Sequence, residues 1–200
     1  MTVDVLIPTL KGHREDSFLR AVGSVDFGRV LVSVEHTARG YVAVMNDLIA
    51  ASNADVVMCT NDDVMFKPGS IQKGAETLLK RFSDGDGMVG FFQGAEADGV
   101  QEYTMPMMGR KFIRRFPEQN PFCPNYLHFD SDTELGEYAS SLGRFVFCKE
   151  AALYHAVPGR DGIRSDDLRK IVVPMIAQDH RVRVLRRSKG LVWGKSWELV

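Results

Sequence analysis

The chain is poor in cysteine, and none of its three (Cys59, Cys123 and Cys148) stands in a CxxC pair. An odd number without ligand spacing argues against a disulfide framework or a zinc site and fits a reducing compartment. Long apolar runs are missing too. No stretch approaches the ~20 apolar residues that a bilayer-spanning helix needs. The opening MTVDVLIPTLKG reaches Asp4 and Pro8 without the basic and then apolar build-up of a secretory leader. The expectation is a cytoplasmic protein. An excess of one charge sign is also lacking: 25 basic and 26 acidic residues leave a formal net charge of −1. Nothing global therefore marks a nucleic-acid or membrane binder, and local clusters must carry any such case. Internal repeats and low-complexity segments are absent as well.

What is present has a globular balance, with 44% hydrophobic and 26% charged residues. A chain of 200 residues suits one domain that buries a core without disulfides. Short apolar runs alternate with segments of helical spacing. Val3 to Ile7, Val30 to Val34, Val56 to Thr60 and Met88 to Phe92 are expected strands, rich in β-branched residues and bounded by turn signals. Between them, Ser17 to Val25, Tyr41 to Ala51 and Ser70 to Phe82 place apolar residues on one helical face. Continuously apolar strands joined by helices point to an α/β domain whose mostly parallel sheet is covered on both faces. In such sheets ligands bind beyond the carboxyl ends of the strands. Thr9, Glu35 and Asn61-Asp62-Asp63 all fall there.

The second half is less regular. Residues 98 to 129 hold Gly99, Gly109 and four prolines (Pro106, Pro117, Pro121 and Pro124), which predicts a long, loop-rich stretch. Asp132 to Leu142 is an expected helix with Asp132 and Glu134 in its first turn, where negative charge suits the dipole. Arg144 to Cys148 is a further expected strand, and Ala151 to His155 leads into Val157-Pro158-Gly159.

Three local features admit two readings each. Asn61-Asp62-Asp63 is either an Asx-rich turn or a pair of carboxylates whose repulsion and desolvation are offset by a hard divalent cation. Asp132 is either an ordinary first-turn acid or a general base that takes a proton from an acceptor hydroxyl. His155, closing an apolar run, is either a hydrogen-bonded structural residue or a nitrogen ligand completing a mixed shell for manganese or magnesium.

Together the three follow a known order. The chain resembles the GT-A-type glycosyltransferases, in particular glycosyltransferase family 2, over about residues 3 to 158. VLIPTL is similar to that family's first strand and nucleotide-contacting loop, and AVMNDLIAASNADVVMCTNDDVMFKPGSI to its helix, strand and DxD-type metal motif. FDSDTELGEYASSLGRFVFCKEAALYH resembles its acidic motif, following helix, strand and terminal histidine. The resemblance implies a single-domain GT-A fold, Rossmann-like, acting on a nucleotide-diphosphate sugar with Mn2+ or Mg2+. It implies Asp63 and His155 as metal ligands and Asp132 as the catalytic base. Pro8, Thr9, Glu35, Asn46 and Asp62 become donor-contacting residues, and the sugar transfers with inversion. Residues 1–97 become the donor half, 98–160 the acceptor and catalytic half, and 161–200 a basic C-terminal extension. Asn61, Ser131 and the region of Tyr138 depart from the family's pattern, where two acids and an arginine are usual.

Two basic clusters flank these motifs. Arg181, Arg183, Arg186, Arg187, Lys189 and Lys195 follow one another without an acid. The alternation of HRVRVL suits a strand with one solvated face; the other reading is a surface for phosphate. Arg110, Lys111, Arg114 and Arg115 form the second cluster. Trp193 and Trp197 are either core residues or stacking platforms for a sugar or base. The expected acceptor is a soluble hydroxyl compound: a saccharide, a protein, a small metabolite or a modified nucleic-acid base, with a phosphate-bearing one favoured by the basic C-terminus. The sequence sets no oligomeric state. Two alternatives remain open: a non-catalytic nucleotide- or saccharide-binding member of the same fold, and a nucleotidyltransferase. For the latter, PTLKGHRED offers only Lys11 and Gly12 as a phosphate loop.

Overall fold

The computed structural model describes residues 1–12, 15–93, 103–155, 167–196 and 200. The strands are β1 (Val3–Leu10), β2 (Arg29–Glu35), β3 (Val56–Cys59), β4 (Val64–Phe66), β5 (Met88–Phe92), β6 (Met107–Gly109) and β7 (Phe145–His155). The helices are α1 (Glu15–Gly23), α2 (Tyr41–Ala51), α3 (Ser70–Arg81), α4 (Arg110–Ile113), α5 (Ser131–Ser141) and α6 (Asp167–Ser188). The seven strands form one sheet in the order β2-β1-β3-β6-β5-β7-β4. β1, β2, β3, β5 and β7 run one way, while β6 and β4 run against them.

Why the sheet is covered on both faces follows from the two-residue period of each strand. Leu6 points into one buried cluster, and Val3, Val5 and Ile7 point into the other. Val57 and Cys59 side with Leu6, whereas Val56 and Met58 side with Val5. The first cluster is completed by α2, α4 and α5 through Val44, Met45, Phe112 and Leu135. The second takes Ile71, Ala75 and Leu78 of α3, with Phe18 and Val22 of α1 against it.

The structure departs from the sequence reading at four places. β4 sits within the turn expected after β3, too short for any periodicity to show. β6 and α4 lie inside the stretch read as loop, where Pro106 and Gly109 bracket the strand. The runs Arg144 to Cys148 and Ala151 to His155 are one strand, β7, with an irregularity: Phe91 pairs with Cys148 but Phe92 pairs with Ala152. HRVRVL is helical and belongs to α6, because its inward residues, Asp179, Val182, Arg183 and Arg186, follow helical spacing and three of them are charged. Val157-Pro158-Gly159 and Trp197 lie outside the described residues. Trp193 is buried in the first cluster, as a core residue.

The basic clusters are largely committed to internal contacts. Arg110 donates to the carbonyls of Ser52 (2.9 Å) and Ala54 (3.0 Å), closing the end of α2, and Lys111 reaches Asp84 at 2.7 Å. Arg115 binds the buried Asp86. On α6, Arg183 bridges Asp130 (2.8 Å) and Glu137 (2.9 Å), and fully buried Arg186 binds Glu134 at 2.9 Å. That last pair is embedded: the Tyr126 hydroxyl and the Trp193 backbone N–H also donate to Glu134. Burial pushes the Glu134 carboxyl up, but Arg186 and these donors overcome it and hold it below its ordinary range.

Candidate active site

A cavity of about 910 Å³ opens beyond the carboxyl ends of β1, β2 and β3, within the size range of small-molecule sites. Pro8, Thr9, Glu35, Asn61, Asp62, Asp63, Asp132 and His155 all line it. Asn46 does not. Its amide faces the core, donating to the Phe122 carbonyl at 2.8 Å and accepting the Phe122 N–H at 3.3 Å. That pairing fixes the 117–126 segment against α2, a structural task that correct spacing in the sequence could not reveal.

The acidic turn is held from β1. The Thr9 hydroxyl donates to an Asp62 carboxylate oxygen at 2.9 Å, and the Thr60 N–H donates to the Leu6 carbonyl at 3.1 Å. Asp62 and Asp63 are each only 5% exposed, so two neighbouring carboxylates sit largely out of water. Such a pair is costly unless positive charge offsets it. The histidine arrives from 92 residues further along through strand pairing. β4 runs antiparallel to the outer half of β7, with Val64 opposite His155. Asp63 precedes Val64, and its Oδ1 consequently lies 3.3 Å from His155 Nε2. Two adjacent ligands of an octahedral cation at about 2.1 Å stand roughly 3 Å apart, so this pair fits two neighbouring positions of one shell. No group of three or more His, Cys, Asp or Glu side chains suited to a metal occurs among the described residues. A cation held there would take its remaining ligands from bound substrate and water.

Asp132 enters from another direction, on the first turn of α5. Its Oδ1 accepts the N–H of Thr133 at 2.7 Å. Desolvation nevertheless dominates and pushes the carboxyl above its ordinary range, with the charge of Asp130 adding to the rise. The preceding loop is strapped down by the completely buried Asp179 of α6. Its carboxylate accepts three successive backbone N–H groups, from Leu127 (2.9 Å), His128 (2.7 Å) and Phe129 (2.7 Å). Asp130, at the left-handed φ of 63° that caps α5, is held by Arg183. Glu35 is engaged as well: Arg39 binds it at 2.8 Å and holds it below the usual carboxylate range, helped by the Ser33 hydroxyl.

Sequence reasoning missed Asp179, Tyr103 and the α6 side of the cavity, and read Arg183 as part of a basic surface where it binds Asp130 and Glu137 internally. An isolated aspartate within a basic run carries no motif. Gly40 was a readable signal: its φ is 93°, and a Cβ there would stand 2.5 Å from the Leu127 carbonyl oxygen.

No family model matches the chain, and no curated protein matches it significantly. Solved structures do. A mannosyltransferase from Pyrobaculum calidifontis, in complex with GDP-Man and Mn2+, superposes with a TM-score of 0.60 at 13% identity, over 92% of this chain and 64% of that one. The chain has the GT-A fold. Mannosyl-3-phosphoglycerate synthase from Rubrobacter xylanophilus matches at TM-score 0.59 and 12% identity, over 100% of this chain and 77% of that one. Glucosyl-3-phosphoglycerate synthase from Mycobacterium tuberculosis, in complex with Mn2+, UDP and phosphoglyceric acid, matches at 0.57 and 16%, over 88% and 76%. The chain thus spans just under two thirds of the length of the mannosyltransferase. No described helix is long and apolar enough to cross a membrane.

Proposed function

We propose that the chain is an inverting, metal-dependent glycosyltransferase that moves a sugar from a nucleotide-diphosphate donor to a hydroxyl acceptor. One observation carries the reading: the Asp63–His155 pair and the desolvated Asp132 open onto the same cavity at the carboxyl edge of a GT-A sheet. Solved neighbours of this fold hold GDP-Man with Mn2+, or UDP with Mn2+. On this reading residues 1–97 form the donor half, with Pro8, Thr9, Glu35 and Asp62 along the nucleotide-sugar. Residues 98–160 carry the acceptor chemistry, and 161–200 are a basic C-terminal extension whose helix α6 lines the cavity through Val172, Val173, Met175, Ile176 and His180.

Asp63 and His155 would hold Mn2+ or Mg2+, which when bound neutralises charge developing on the departing diphosphate. Asp62, fixed by Thr9, orients the donor's ribose or sugar hydroxyls as an acceptor of their hydrogen bonds. Asp132 takes the proton from the acceptor hydroxyl as that oxygen attacks the anomeric carbon opposite the leaving group. A raised pKa makes it a stronger base than an exposed carboxylate.

The direct experiment incubates the protein with a panel of UDP, GDP and dTDP sugars, with and without Mn2+. Donor hydrolysis or protection from thermal unfolding by one nucleotide class is the expected result. A flat response across the panel sinks the reading.

A further inference from the structure

The cavity has two chemically different walls. Glu35 at the end of β2, Asp62 and Asp63 after β3, and Asp130 and Asp132 at the start of α5 crowd one side, and the N-terminal half of α6 supplies another. There Val172, Val173, Met175 and Ile176 line the space, facing the same cavity as Tyr103 and Met105. Val173 is 47% exposed and Ile176 44% exposed, although both are aliphatic and both open onto a concave surface. Apolar side chains left uncovered inside a cavity mark a place where a ligand completes the burial.

Charge narrows the ligand further. The described lining contains no lysine and a single arginine, Arg39. That guanidinium is taken by Glu35 at 2.8 Å and Asp47 at 2.9 Å. Arg183, Arg186 and Arg187, which follow on α6, are directed to Asp130, Glu134 and Glu137 of α5. Half of the basic C-terminal run, which as sequence favours a phosphate-bearing acceptor, is thus engaged with α5 and its cap. A charged phosphate or carboxylate set against Val172, Val173 and Ile176 would be desolvated by aliphatic carbon, with the His180 imidazole the one basic side chain that α6 brings to the cavity among the described residues.

We infer that the α6 wall is an acceptor subsite for an uncharged molecule with an apolar body, an aryl or alkyl group carrying the hydroxyl-bearing end toward Asp132. This deepens the glycosyltransferase reading and rests on it for the role of the bound molecule, though the subsite itself can be tested separately. Asp179 and Arg183 tie α6 to the loop that leads into Asp132. Gly136 of α5 contributes by letting Tyr103 approach: a Cβ there would stand 2.1 Å from the tyrosine ring.

Calorimetric titration with four uncharged or charged probes distinguishes the possibilities: phenyl β-D-glucopyranoside, octyl β-D-glucopyranoside below its micellar range, glucose, and glucose 6-phosphate. Each is added to the full chain with Mn2+ and the nucleoside diphosphate that protects it from unfolding. The expected result is at least tenfold tighter binding of the phenyl or the octyl probe than of glucose or its phosphate. Which of the two binds tighter tells an aromatic body from an aliphatic one. Val173→Ala with Ile176→Ala should shrink that preference severalfold, and Val173→Asp with Ile176→Asp should abolish it, with melting and near-ultraviolet dichroism checking the fold of each. Equal binding of glucose, tighter binding of the phosphate, or a preference that survives both double variants overturns the inference. If no nucleotide binds but the phenyl or octyl probe still does, the glycosyltransferase reading falls and the apolar subsite stands. The reverse pattern leaves the donor site and removes the subsite.

Discussion

Asp132 combines two properties that pull against each other. Its carboxyl is pushed up by burial, so at neutral pH the ionised form is held at a cost to the fold, while the proposed chemistry needs that ionised form. The sign of the stability effect follows: a carboxyl with a raised folded-state pKa favours folding when protonated, and that contribution is lost as pH rises through the folded value. Activity runs the other way and falls as pH drops through the same value. We expect Asp132→Asn to lower the turnover of donor and acceptor about 10²–10⁴-fold while leaving the melting temperature at pH 7 unchanged or higher, since the amide oxygen can still accept the Thr133 N–H. The acidic limb of the wild-type rate profile should lie above pH 3.8, the ordinary aspartate value. A rate profile with no limb there, or an Asn variant that keeps its rate, removes Asp132 from the mechanism. Asp179 is the contrasting case, a carboxylate that accepts three successive backbone N–H groups. In Asp179→Asn one oxygen becomes a donor facing donors, and the loss should be about 2–3 kcal/mol in urea unfolding. Because that loop leads into Asp132, transfer should fall further than stability explains, with Asp179→Glu recovering little of it at this fixed spacing.

At the scale of elements, the pairing of α5 with α6 rests on charge rather than on an apolar seam. Arg186 is fully buried against Glu134, and Arg183 ties the α5 cap. Removing one partner of such a pair leaves an uncompensated buried charge, which costs about 3–5 kcal/mol, whereas replacing both by apolar residues of similar volume is often neutral. We therefore expect Arg186→Met to be strongly destabilising, and Arg186→Met with Glu134→Leu to recover most of the loss in a double-mutant cycle. Glu134 is held below its ordinary value of 4.5. Its contribution is therefore present above that value and is lost as pH falls through the lower folded one. Additive effects of the two substitutions would show that the helices do not depend on the pair. This arrangement also explains what the sequence concealed. β1, α2 and β5 were readable because their buried faces are made of aliphatic residues at the period of the element. α6 hides its inward face because Asp179, Arg183 and Arg186 occupy positions where a hydrophobic pattern would be sought, leaving HRVRVL to imitate a strand. β4 has three residues and no period at all, yet it is the element that sets His155 beside Asp63. The place of the acidic turn at the edge of the sheet was legible from the apolar strand before it; that His155 would stand beside Asp63 was implied by the resemblance and not by either residue's local pattern.

The molecule as a whole presents an acidic recess, and on the proposed reading Asp63 and His155 would be its two protein ligands for a cation, which sets how ions and nucleotides should bind. Asp63 and His155 supply two positions of about six, so a free divalent ion would gain little and bind weakly. A nucleoside diphosphate alone would bring its charge toward Asp62, Asp63 and Asp132 and be repelled. Each ligand removes the obstacle facing the other, and the coupling must be reciprocal because it is a free energy of the ternary state. We expect Mn2+ alone, or the nucleoside diphosphate alone, to move the melting temperature by less than about 1 °C, and the two together to raise it by roughly 5–10 °C once each exceeds its dissociation constant about a hundredfold. Chelation should return the curve to that of the free protein. His155→Ala should weaken Mn2+ more than it weakens nucleotide measured at saturating Mn2+, while Asp62→Asn, whose carboxylate is held by the Thr9 hydroxyl, should weaken the nucleotide sugar and leave the metal requirement in place. Independent, additive shifts would mean that cation and nucleotide occupy separate places, and Asp63 and His155 would then be a structural pair linking β4 to β7.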